Sequence, residues 1–384
     1  MSQIGGLMPI RPRDYFPLGV ATDAAFCNRT AETALLLENI KNGKHTLIMA
    51  PRRYGKSSLV LHVLNISEMP FVETDFYMAT NERIVEAYIL NAVVELIGKA
   101  LGSAEKLVTS IKQYVKHLKP KLEIGGKGIK LELTADLATD PATNVKEALF
   151  LLEQLLAEQS KQAVLLLDEF QTVGVIAQGK GIEGAIRHVA QKTKYLTLVF
   201  SGSNRKLLKT MFDDETRPLY KLCWRLGLKR IDETHYAAHL NKAAMAMWGV
   251  GLSEAVFQAI ISATEKHPYY MNKLCDRLWM FYDAVPPTEK DVREEWMHIV
   301  AEEKSDAIKE ISSLSMGQKA ALAYFVKHPN ALLTEKDTII ALDMASSSIL
   351  SAMDGLEEKD IIEYIDNHYW VINPVVKHYC FLSP

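Results

Sequence analysis

The chain has 384 residues and a mass of 43.1 kDa, with 48% hydrophobic and 24% charged residues. These fractions exclude a largely disordered chain, and the length exceeds one compact core, so two or three domains are expected. Forty-four Lys and Arg against 47 Asp and Glu leave a formal net charge of −3, which excludes a global basic field for nucleic acid.

Cys27, Cys223, Cys275 and Cys380 are scattered without C-x-x-C spacing, which fits a reducing compartment and neither a disulfide framework nor a zinc module. The N-terminal MSQIGGLMPIRPRDYFPLG lacks the long apolar stretch of a signal peptide, and no apolar run is long enough to span a bilayer. A cytoplasmic location without membrane contact is therefore expected.

Through the first two thirds of the chain, short apolar runs alternate with helical patterns, the signature of a parallel α/β sheet. Residues 45–50 (HTLIMA) predict a buried strand, followed by the turn PRRYGKSS and an apolar helix. Residues 71–78 predict a second strand. An insertion at about 103–143 carries a helical stretch (104–118) and then KLEIGGKGIKLEL, two alternating arms around Gly-Gly-Lys-Gly that signal a hairpin. Residues 104–130 hold seven Lys against two Glu, a locally basic feature expected to be a solvated surface.

Residues 163–168 (AVLLLD) are continuously aliphatic and predict a strand buried on both faces. Residues 196–201 and 225–231 complete five expected strands. Strand signals stop near residue 234. Residues 234–304 read as helical around HPYYMNKLCDRLWMFY. In residues 305–384, amphipathic helices at 315–325 and 346–357 precede a short hairpin at 361–365 and 369–372, a winged-helix order. The expected organisation is thus a core at 1–233, a helical lid at 234–304 and a winged-helix-like domain at 305–384.

Ala50-Pro51-Arg52-Arg53-Tyr54-Gly55-Lys56-Ser57-Ser58 lies between a buried strand and a helix, where a phosphate-binding loop belongs. Backbone N–H groups of such a turn curl around phosphates, and the helix N-terminus adds partial positive charge. Gly55 lets the chain approach without a side chain, Lys56 reaches the β- and γ-phosphates, and the Ser57 hydroxyl can coordinate Mg²⁺. Ala50 stands where such loops usually have their first glycine.

Asp168 and Glu169 follow the aliphatic strand at its C-terminal end, where ligands bind in open α/β sheets. Asp168 can hold the Mg²⁺ shell, and Glu169 can orient and deprotonate an attacking water. Ser201-Gly202-Ser203-Asn204 ends the next strand, and a polar side chain there, Ser203 in particular, can bond the water or the γ-phosphate.

RRYGKSSL, LLLDEFQ, FSGSNRKLLKTMF and ETRPLYK, in this order, resemble archaeal-type P-loop ATPases of the STAND class, relatives of AAA+ and origin-recognition ATPases. The likeness extends to FPLGVATDAAFCNRTAE and to HPYY, and covers most of residues 14–300. It implies an α/β P-loop NTPase parallel sheet with an additional strand, the Walker B strand being separated from the P-loop strand by the sensor strand. It further implies an α-helical lid followed by a winged helix. Arg29 and Glu32 would flank the adenine side, and His267 and Pro268 would match the lid motif that touches nucleotide, although the family often has Gly at the position of Lys266. Arg187, Arg217 or Lys221 would be available as a finger towards the γ-phosphate.

The expectation is a Mg²⁺-dependent, slow ATPase, binding ATP and ADP, that signals through conformation or assembly with a protein partner or itself. The alternatives are a DNA-associated ATPase and a nucleotide-binding scaffold with little hydrolysis. Residues 305–384 carry six Lys and no Arg against eleven Asp and Glu, a net −5, which disfavours DNA as the ligand of the winged helix.

Overall fold

The computed structural model describes residues 11–102, 114–125, 128–135, 137–176, 180–365 and 368–382. The chain divides into two compact units. A sheet unit holds Thr30–Arg52 and Leu59–Leu228. A helical unit holds the residues up to Arg29, Arg53–Ser58 and Lys229–Pro384.

In chain order, the first unit runs α1 (Thr30–Lys41), β1 (Thr46–Met49), α2 (Lys56–Ser67, its first turn grouped with the helical unit), β2 (Phe71–Asp75), α3 (Glu82–Leu101), β3 (Leu118–Gly125) and β4 (Gly128–Ala135). It continues with α4 (Pro141–Glu158), β5 (Ala163–Asp168), α5 (Gln171–Val175), α6 (Lys180–Ala190), β6 (Leu196–Gly202), α7 (Arg205–Asp213) and β7 (Trp224–Gly227). Five strands form one parallel sheet in the order β2-β5-β6-β1-β7, so β6 separates β5 from β1 as the resemblance implies. The expected hairpin in the insertion is β3–β4, paired antiparallel from Leu118↔Ala135 to Gly125↔Gly128. The helical stretch expected before it lies for the most part outside the described residues.

The central strands form for the reason the sequence gives. Every β6 residue is buried, as are the first five of β5, and in β5 those five are all aliphatic. Glu153 on α4 fixes the entry of β6, its carboxylate accepting the backbone N–H groups of Lys194 (2.8 Å) and Leu196 (2.8 Å). Two strand boundaries differ from expectation. The second strand ends at Asp75 rather than at residue 78, because Asp75 Oδ1 accepts the Tyr77 N–H (2.8 Å) and turns the chain. The fifth spans Trp224–Gly227, with the Leu228 N–H still reaching Met49 O.

The helical unit comprises α8 (Glu233–Trp248), α9 (Glu254–Thr264), α10 (Pro268–Phe281), α11 (Glu289–Glu302), α12 (Lys304–Ser312) and α13 (Met316–Lys327). It ends with α14 (Lys336–Leu342), α15 (Ser346–Glu358), the antiparallel pair β8 (Ile362–Ile365) and β9 (His368–Val371), and α16 (Pro374–Leu382). One apolar core runs through this unit, from Phe16 through Tyr236, Leu274 and Trp279 to Leu322, Leu356 and Val375. The sequence reading missed α14 and α16. Asn373 Oδ1 caps α16 by accepting the Val375 N–H (2.9 Å), and Pro374 occupies the first turn, a start signal that a short apolar tail conceals. Among the described residues no single helix is long and apolar enough to cross a membrane.

Leu165, on the central strand β5, is fully buried. Replacing it with Ala should destabilise the sheet unit by about 3 kcal/mol, through lost transfer energy and a residual cavity, as read by urea denaturation.

Candidate functional site

The carboxyl ends of β5, β6 and β1 lie side by side and point the same way, with Leu167 in register with Phe200 and Met49 with Gly202. From this edge leave the acidic pair, the Ser-Gly-Ser segment and the phosphate-binding turn. Ala50 is 1% exposed and is absent from the residues of positive φ, so an alanine serves where a glycine was expected. The left-handed positions of the turn are Arg53 (φ +64°) and Gly55 (φ +83°), and only the second is occupied by a residue free to adopt it without strain.

Lys56 opens α2 and is buried, as is Ser58, whereas Ser57 is half-buried and Arg52 and Arg53 are exposed. Pro51 and Tyr54 are buried. The Ser58 hydroxyl accepts the Ala21 N–H (2.9 Å), so this second serine has a structural bond.

Within the helical unit, Arg29, Arg53, Tyr54, Gly55, Ser58 and Pro268 line one cavity of about 110 Å³ with Leu18, Phe26, Ile231, Tyr269 and Asn272. Arg29 Nη2 donates to Tyr54 O (2.9 Å) and Lys229 O (3.0 Å), so its guanidinium staples the turn to neighbouring backbone while its side chain forms part of the wall. The Arg53 guanidinium stacks 4.0 Å from the centre of the Tyr269 ring. His267 does not line the cavity. Its ring meets Tyr54 edge-on at 5.0 Å and Tyr270 at 5.1 Å, and its buried Nδ1 has no hydrogen-bond partner among the described residues. Burial first, and then the charges of Arg230 and Arg53, push its pKa down to about 3. Glu265 and Lys266 before it both have positive φ (+49° and +61°), so the usual glycine has a conformational reason that Lys266 meets under strain.

The Tyr54 hydroxyl donates to Glu363 Oε1 on β8 (2.7 Å) and accepts from Arg230 Nε (3.3 Å). Arg230 also donates to Glu265 O (2.8 Å) and to Val371 O (2.6 Å). Sequence reasoning missed this cluster. A signal was present for Glu363, a lone carboxylate inside IIEYI, but nothing marked Arg230.

In the sheet unit, Asp168 Oδ1 accepts the Ser201 hydroxyl and the Glu169 N–H (2.9 Å), leaving Oδ2 open among the described residues. Glu169 has φ +48°, and its Oε2 accepts the Ser203 hydroxyl (2.7 Å) and the side-chain N–H of Gln171. Ser203 is thus bonded to the carboxylate. Gln171 was within the quoted motif LLLDEFQ but had no role assigned. Glu73 and Asp75 both have raised pKa values, through burial first and then the negative charge of neighbouring acids, Asp168 in each case. Carboxylates therefore crowd this end of the sheet. Among the described residues, no three His, Cys, Asp or Glu side chains converge as a metal cage. A Mg²⁺ ion, which usually retains waters and takes one or two carboxylates plus substrate phosphates, needs none. Asp168 Oδ2 is a hard oxygen donor of the kind it takes.

The arginines considered as fingers have other partners. Arg217 forms an ion pair with fully buried Glu183 (Nε to Oε2, 3.2 Å), and Arg187 donates to Pro218 O and Tyr220 O (3.1 Å to the latter). Lys221 lies 5.0 Å from the centre of the Tyr220 ring.

No family model and no curated protein matches the chain. Among solved structures it is similar to the Walker-type ATPase PABY2304 of Pyrococcus abyssi, at 16% identity and a TM-score of 0.67, over 95% of this chain and 99% of that one. It is also similar to the ORC2 protein of Aeropyrum pernix, solved in ADPNP–ADP complexes, at 11% identity and a TM-score of 0.58, over 97% of this chain and 96% of that one. Together with the strand order, these likenesses establish an α/β P-loop NTPase fold.

His267 carries a pH prediction. Between pH 6.5 and about 3 the unfolded chain binds a proton that the folded protein refuses, so His267 costs stability progressively as pH falls through that window. His267→Phe should therefore lose less stability than the native chain between pH 7 and pH 5, as read by urea midpoints at each pH.

Proposed function

We propose that the chain binds ATP with Mg²⁺ and hydrolyses it slowly, acting as a switch of the STAND type whose conformation is read by a protein partner or by another copy. The observation that carries this reading is the shared sheet edge: a Gly-Lys-Ser turn leaves β1, an acidic pair leaves β5, and a Ser-Gly-Ser segment leaves the strand between them. Phosphoryl transfer to water asks for those parts and little else.

In this reading the N–H groups of residues 52–58 hold the phosphates and Lys56 balances charge on the β- and γ-oxygens. The walls formed by Arg29, Leu18, Phe26, Ile231 and Pro268 take the base. Glu169 orients the attacking water and accepts its proton, and Ser203 helps hold that carboxylate in place. Ser57 and Asp168 would hold Mg²⁺, which when bound neutralises charge on the phosphate oxygens. His267 acts through Tyr54 and Tyr270 and not on the nucleotide itself.

The switch half of the proposal rests on Tyr54. A tyrosine inside the phosphate-binding turn bonded to Glu363 on β8 gives nucleotide state a route to the C-terminal hairpin. We read α13, α14, α15 and β8–β9 as the winged helix expected at 305–384. Its charge of −5 and the absence of Lys or Arg from α15 favour a protein partner over DNA. Four free thiols fit a reducing compartment such as the cytoplasm.

Lys56→Ala should abolish ATP binding in calorimetry, and unchanged affinity would sink the nucleotide site. Glu169→Gln should retain binding while turnover falls on the order of a hundredfold, as expected for loss of a positioned base. Wild-type turnover in that variant would remove Glu169 from the mechanism.

A further inference from the structure

The geometry points to Gln171 as the positioning residue for Glu169, seated by the absence of a side chain at Gly202. This inference rests on the ATPase reading above. The Gln171 side chain is buried at the start of α5, and its amide nitrogen donates to Glu169 Oε2. Its carbonyl Oε1, also buried, finds no partner among the described residues. A glutamine held with an unpartnered carbonyl is costly for folding, so its amide N–H group has a use that offsets the loss.

Gly202 supplies the room. A Cβ on this residue would stand 1.9 Å from Gln171 Oε1 and 3.1 Å from its Cδ, so the amide would have to move, with Leu208 Cδ1 at 3.2 Å. Gly202 is a β6 residue of ordinary φ, so its lack of a side chain has a steric reason and no backbone one.

Both donors to Glu169 fall on the same oxygen, Oε2, which ties that end of the carboxylate. The direction of the pull is set by the sheet. Ser203 directly follows β6, which lies between β5 and β1, so a carboxylate tied to Ser203 is drawn towards the β1 side and away from β2. Glu169 itself is held at φ +48° while the flanking Phe170 N–H bonds Ser201 O (3.0 Å), so backbone and side chain are both anchored to β6. Gln171 acts here through Glu169 and touches no substrate.

The test is steady-state ATP hydrolysis by the full chain, with binding measured alongside. Gln171→Leu keeps the volume and removes the donor. It should lower kcat about tenfold or more while leaving KM and the Kd for ATP within about twofold. Stability in urea should not fall, because the unpartnered carbonyl goes with the donor. In a Glu169→Gln background the same change should cost nothing further, since there is no base left to orient. Gly202→Ala, which pushes the amide away with Gln171 intact, should reproduce the loss of kcat and stands in should Gln171→Leu fail to fold. An unchanged or raised kcat in folded Gln171→Leu, or in Gly202→Ala where Gln171→Leu does not fold, overturns the inference, as does an equal loss in the Glu169→Gln background. Slow turnover in Glu169→Gln with normal turnover in Gln171→Leu would overturn the positioning role alone. Normal turnover in Glu169→Gln would overturn the base assignment and this inference with it.

Discussion

Arg230 is a cation held almost out of water, and the arrangement of the helical unit follows from the acceptors it needs there. Its side chain is 10% exposed, and its N–H groups run to the Tyr54 hydroxyl, to Glu265 through both backbone and carboxylate, and to the carbonyls of Val371 and Ile372. Removing one partner from such a buried cluster typically costs about 3–5 kcal/mol, because the remaining charge is left uncompensated. The phosphate-binding turn, the corner before α10 and the C-terminal hairpin therefore share one electrostatic constraint, to which Lys377 adds a second cation on Glu265. A change in the position of Tyr54 is a change in the acceptors of Arg230.

The sheet unit solves a different problem. Glu73, Asp75, Asp168 and Glu169 gather at the ends of β2 and β5, and the raised pKa values of the first two record their mutual repulsion after burial. Such crowding is tolerable where hydrogen bonds and an incoming cation offset it. Ser201 on β6 and Ser203 just after it supply donors to the two central carboxylates. β6 thus helps order the acid pair as well as separating it from β1.

Much of this was legible in the sequence, for identifiable reasons. A continuous aliphatic run announces β5, which is buried on both faces, and Gly-Lys-Ser at a strand-to-helix turn is set by backbone geometry at Gly55. The strand order came from family resemblance, since periodicity says nothing about which parallel strand pairs with which. What stayed hidden depends on contacts distant in sequence. Tyr54 and Glu363 are 309 residues apart, and neither carries a local signal of the other. The role of Gln171 needed the empty space at Gly202 to be seen, and the short helices α14 and α16 lack the length over which a period can be read.

The central claim is that nucleotide at the turn is felt by the C-terminal hairpin through Tyr54. Hydrogen–deuterium exchange on the full chain with Mg²⁺ and either ATP or ADP reads it directly. The account predicts that amides of residues 361–373 exchange at different rates in the two nucleotide states, and that Tyr54→Phe erases the difference while still binding ATP. Exchange across 361–373 that is the same with ATP and ADP in the native chain, alongside clear changes at residues 50–60, would contradict it.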